Sequence, residues 1–150
     1  MNGNTIIRLQ DEIIEVLVSS RSTGNAFCVA VQTSPPGGGP PPHVHAREDE
    51  LFRVLDGDFE LFDGHAWTPI AKDEVRFKAR GQVHAFRNCG VSPGRIMFIT
   101  SPGGLDEYLE EISPLAMPQD MDRLNEISRM YGISYVAPGI QGTNRPNDVA

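Results

Sequence analysis

Over the first two thirds of the chain, apolar residues come in short alternating runs; after that they recur at spacings of three and four. Ile13 to Val18 and Ala26 to Val31 are the first strand-like runs, separated by the turn-rich stretch Ser19 to Asn25. Leu51 to Leu55 stops at Asp56-Gly57, and Asp58 to Phe62 stops at Asp63-Gly64. Strand, turn, strand, turn predicts an antiparallel meander. Ala66 to Ile70 is broken by Pro69 and is expected to be an edge strand or a loop. Val75 to Phe77 and Val83 to Arg87 flank a turn at Gly81, and Arg95 to Thr100 follows Ser92-Pro93-Gly94. Many short strands with closely spaced turns predict an all-β sandwich or barrel over about residues 12–101.

Ser101-Pro102-Gly103-Gly104 breaks the sheet pattern. Leu105, Tyr108, Leu109 and Ile112 then fall on one face of a helix that Ser113-Pro114 ends. A second helix is expected from Pro118, with Met121, Leu124, Ile127 and Tyr131 on one face and Gly132 as its stop. These helices make a C-terminal extension over about 104–132. Residues 141–150 carry almost nothing apolar and are expected to be a disordered tail. Without internal repeats or a second core, the 150 residues are expected to form one domain.

Composition narrows the class. An apolar fraction of 39% with 22% charged residues is ordinary for a globular protein. A net charge of −7 and no basic stripe argue against nucleic acid as a partner. No run approaches the ~20 apolar residues of a membrane span. Asp11, Glu12 and Glu15 interrupt the one apolar run near the N-terminus, so no signal peptide is expected and the cytoplasm is the expected compartment. Cys28 and Cys89 are too few for a disulfide framework, and both are expected to be buried thiols.

The chemistry concentrates in the histidines. Three of the four fall in two motifs, Gly37-x5-His43-x-His45-x4-Glu50-x6-Gly57 and Gly81-x2-His84-x3-Asn88. Neutral imidazole and carboxylate suit a borderline first-row metal, and four donors leave positions open for substrate or dioxygen. His43 and His45, two apart on a strand, share a face. Glu50 breaks that parity, so a bend is required within Ala46 to Asp49. Glu48 and Asp49 are competing carboxylates; Glu50 is preferred because it opens a strand whose Phe52 and Val54 share its face. His84 must arrive from another strand, with Phe86 beside it. His65 sits in the Asp63-Gly64 turn and is expected to be a solvated loop residue.

These motifs resemble the two motifs of the cupin superfamily, the second running Asp73-x5-Ala79-x-Gly81-x2-His84-x3-Asn88. The stretches Pro40 to Gly57 and His84 to Asn88 are most similar to quercetin 2,3-dioxygenase-like bacterial monocupins. Asp73 and Ala79 depart from the pattern, standing where Gly and Pro are usual, and touch turn geometry rather than ligands. The resemblance covers about residues 12–135. It implies a double-stranded β-helix, a jelly-roll barrel with metal at the mouth of its cavity, and a homodimer built on edge strands.

The expected site is one divalent ion (Fe, Mn, Ni, Co, Cu or Zn) held by His43, His45, Glu50 and His84. Glu50 doubles as general base, and Phe52, Phe86, Phe98 and Trp67 are candidate walls for a small-molecule substrate. The expected activity is a metal-dependent dioxygenase acting on a small aromatic or enolic compound. The alternatives are a non-catalytic small-molecule or metal-binding cupin, and a metal-assisted isomerase or lyase.

Overall fold

The computed structural model describes residues 4–136. The expected tail, 141–150, lies outside them. The strands are β1 (Thr5–Leu9), β2 (Glu12–Val18), β3 (Cys28–Ser34), β4 (His43–His45), β5 (Asp49–Asp56) and β6 (Phe59–Phe62). They continue as β7 (Trp67–Ile70), β8 (Val75–Lys78), β9 (Ala85–Asn88) and β10 (Gly94–Ser101). Helices α1 (Leu105–Ile112) and α2 (Met121–Met130) follow, and β11 (Ile133–Tyr135) closes the described chain.

Six strands make one sheet in the order β1-β2-β3-β10-β5-β8, three make a second in the order β7-β6-β9, and β4 pairs with β11. Every ladder between named strands is antiparallel. Alternation decides which face each strand buries. In β5, Glu50, Phe52 and Val54 point inward; in β10, Ile96, Phe98 and Thr100 do. From the second sheet Phe59, Leu61 and Phe86 meet them in one core. Two sheets closed around a shared interior form the expected double-stranded β-helix.

The meander expected at Asp56-Gly57 is corrected by the pairing. β5 bonds to β10 and β8, whereas β6 bonds to β7 and β9. The turn is therefore a corner between sheets. Gly57 makes it with φ 90 and packs so closely that a Cβ would lie 2.9 Å from the Gly94 Cα. The next Asp-Gly does close a hairpin: Asp63 Oδ1 accepts from the amides of His65 and Ala66, both at 2.9 Å, and Phe62 faces Trp67. β7, with Pro69 in it, is an edge strand of its sheet. His65 is exposed in the hairpin loop, as expected.

β1 and β11 extend the barrel beyond the expected strands. β1 pairs with β2 through a two-residue turn, Leu9 facing Glu12, with Gln10 at φ 54. Residues 117–120 form turns, so α2 starts three residues later than the expected start at Pro118. Gly132, at φ 71, ends it. Cys28 is buried as expected, and burial pushes its thiol up. Cys89 is exposed, contrary to expectation, because β9 ends at Asn88 and the chain turns outward there. No helix among the described residues is long and apolar enough to cross a membrane.

Candidate metal centre

The run Pro40-Pro41-Pro42 brings the chain to the barrel mouth, where β4 presents His43 and His45 on one inward face. The chain bends at Ala46 and Arg47, as the parity of Glu50 requires, and β5 returns Glu50 to the same interior. His84 arrives on the segment beside β4, where its backbone exchanges two hydrogen bonds with His43 in an isolated antiparallel bridge. One donor atom from each of the four residues lies within 4.8 Å of the others, and all four are buried. Asp49 instead turns outward, where Arg80 Nε and its backbone amide donate to Oδ1 at 3.2 and 2.9 Å.

Hydrogen bonds on the far side of each imidazole fix its tautomer. His43 Nδ1 donates to the Pro41 carbonyl at 2.7 Å, His84 Nδ1 to the Gln82 carbonyl at 3.1 Å, and His45 Nδ1 to Glu48 Oε2 at 3.3 Å. A carbonyl or carboxylate can only accept, so in each neutral ring the proton sits on Nδ1 and the Nε2 lone pair faces inward. The Nε2 atoms of His43 and His45 are 3.1 Å apart, and His84 Nε2 is 2.9 Å from Glu50 Oε2. His45 Nε2 lies 3.4 Å from that same oxygen.

Lone pairs facing lone pairs at these distances repel one another, and a cation between them reverses the sign. Two donors each ~2.1 Å from one ion and at right angles are ~3.0 Å apart, close to the observed spacings. The donor set therefore fits a divalent metal ion.

The electrostatics of His43 agree. Burial, then the neighbouring His84 and His45, hold His43 well below the usual imidazole range, so it stays neutral and able to ligate. Burial opposes the charged form of His45 too, but the bond to Glu48 and the charges of Glu50 and Glu48 outweigh it and raise its pKa. Glu48, considered above only as a rival ligand, instead lies against the outer nitrogen of His45. Only the register of the bend could have revealed that.

A cavity of about 1070 Å³ opens onto the cluster. Phe52, Phe86 and Phe98 line it on the barrel side, and Leu109, Ile112 and Leu124 from the helices line the other. Trp67 lies elsewhere: it stacks on Phe62 in a separate cluster, with the Arg87 guanidinium 4.2 Å over its ring. Tyr108 and Tyr135 also line the cavity, a role that no local sequence pattern announces.

The model of the cupin domain family matches residues 30–100, the segment that carries all four donors. These residues are a cupin domain. The chain is similar to quercetin 2,3-dioxygenase of Bacillus subtilis, with 34% identity over 77 residues. That match covers 51% of this chain but only 23% of the relative. Among solved structures it is similar to a Klebsiella pneumoniae protein with a double-stranded β-helix domain, at 25% identity and TM-score 0.56, covering 65% of this chain and 84% of that one. A predicted oxalate decarboxylase from Thermotoga maritima shares the fold at 23% identity and TM-score 0.57, covering 67% and 92%.

Proposed function

We propose that this protein is a metal-dependent dioxygenase acting on a small aromatic or enolic compound. The observation that supports this most is the placement of three imidazoles and a carboxylate, all buried, at the inner end of a largely apolar cavity of about 1070 Å³. His43, His45, His84 and Glu50 hold the ion in this reading. When bound, the ion would supply Lewis acidity and open coordination positions for the reactants.

Glu50 takes the proton from the substrate hydroxyl at Oε2, the oxygen that already faces His84 and His45. Phe52, Phe86 and Phe98 keep the ring of the substrate in an apolar, water-poor slot. Trp67 has no part in this proposal. The 34% identity to the Bacillus dioxygenase over 77 residues is further support, limited to that stretch.

The test is oxygen uptake by protein loaded in turn with each candidate metal, across flavonols, catechols and enediols. Uptake with at least one pairing is expected. Ligand-dependent stabilisation with no uptake under any pairing would turn the reading to a binding protein. The reading includes a homodimer. Leu51 and its cross-strand neighbour Phe77 lie exposed on the outer face, and light scattering should give twice the chain mass.

A further inference from the structure

Two hydroxyl-bearing residues of the cavity wall, Tyr108 and Tyr135, join a buried third, Ser128, and the proposed reaction uses none of them. Tyr108 stands on α1, Ser128 on α2 and Tyr135 on β11. The Tyr108 hydroxyl lies 2.8 Å from Ser128 Oγ and 2.8 Å from the Tyr135 hydroxyl. Ser128 Oγ also donates to the Leu124 carbonyl at 2.7 Å.

Each hydroxyl has a single proton, which fixes the direction of the chain. The carbonyl can only accept, so the Ser128 proton is committed to it. Ser128 therefore accepts from Tyr108, and Tyr108 accepts from Tyr135. The Tyr135 proton is thus spent inward, and its oxygen offers the cavity lone pairs alone. Burial, followed by the neighbouring Tyr108, pushes the Tyr135 phenol up, so that proton stays in place.

Tyr135 is also close to the metal cluster. It faces His43 in the register of β11 on β4, and the two ring centroids are 6.3 Å apart. A fixed acceptor therefore stands beside the donors that would hold the first substrate oxygen.

We propose that Tyr135 is a specificity-determining residue. It accepts a hydrogen bond from a hydroxyl on the carbon next to the one whose oxygen would sit at the metal centre of His43, His45, Glu50 and His84. The substrate class is then a catechol or enediol, with two adjacent hydroxyls. A hydroxyketone is disfavoured, because its second oxygen has no proton and would meet the Tyr135 lone pairs. The inference rests on the metal-site reading above and narrows its substrate.

The test uses zinc-loaded protein without oxygen, with catechol and the hydroxyketone maltol as probes, followed by calorimetry. The readout is the ratio of their dissociation constants, which cancels the intrinsic difference in chelation when variants are compared. Tyr135→Phe should shift that ratio toward maltol by about tenfold. Ser128→Ala frees the Tyr108 proton to point at Tyr135, which turns Tyr135 into a donor, so the shift should be at least as large although Tyr135 is intact. A merely structural role would weaken both probes alike.

An unchanged ratio in both variants overturns the inference and leaves the dioxygenase reading standing. A shifted ratio with no oxygen uptake under any metal does the reverse. Failure of both probes to bind the wild-type protein overturns the inference together with the substrate reading.

Discussion

Glu48 and His45 are tied at 3.3 Å across the outer edge of the metal cluster, carboxylate to Nδ1, with both side chains almost completely buried. The contact holds the ring so that Nε2 faces the other donors, and it makes the ring more basic. Glu48→Gln should leave the protein folded and weaken metal binding by about 10–100-fold, as measured by competition with a chromophoric chelator. Unchanged affinity would reduce Glu48 to a buried spectator.

Gly39 and Gly37 separate two costs within one loop. Gly39 has φ 136, and a Cβ there would sit 2.1 Å from the Phe86 carbonyl oxygen. Gly37 has φ 79 but open space around it. Gly37→Ala should cost about 1 kcal/mol for the left-handed backbone alone. Gly39→Ala should cost more than about 3 kcal/mol, because backbone must move as well. Equal losses in denaturant unfolding would show that the loop is not seated against β9.

Tyr131 donates to Glu111 at 2.9 Å, bridging the two helices. Burial, then the bond to Glu111 and its charge, push this phenol up to about 12. In the unfolded chain a tyrosine titrates near about pH 10, so the unfolded state loses this proton first. The associated stability is complete below about pH 10 and is lost as the pH rises through about 12. Relative to Tyr131→Phe, wild-type protein should lose stability across that window and not below it. Parallel pH profiles for the two proteins would remove the role of Glu111.

Much of this molecule is legible in its sequence, because periodicity and ligand chemistry are local signals. The runs at Leu51, Arg95 and Leu105 announce β5, β10 and α1 through their spacing. The four donors announce themselves by residue type, and the five-residue step from His45 to Glu50 requires the bend found at Ala46 and Arg47. What stays hidden is pairing. Asp56-Gly57 looks like a hairpin, but burying both Val54 and Phe59 demands that the chain change sheets there.

Gln10-Asp11 turns without glycine and so conceals β1. Asp73, which stands where the family pattern has Gly, occupies φ 66, a conformation that Asp tolerates better than most residues. The register that sets Tyr135 against His43 depends on how the helices return the chain to β4, and no local pattern encodes it. Trp67 looked like a cavity wall on its aromatic character alone, yet strand alternation in β7 turns it toward Phe62.

His43, His45, Glu50 and His84 stand close enough together to hold a single divalent ion. Elemental analysis of wild-type protein and of His84→Ala, both purified without added metal and confirmed as folded, tests this most directly. About one equivalent in the wild type and a small fraction of that in His84→Ala is the predicted result. Equal metal content in the two proteins would contradict it.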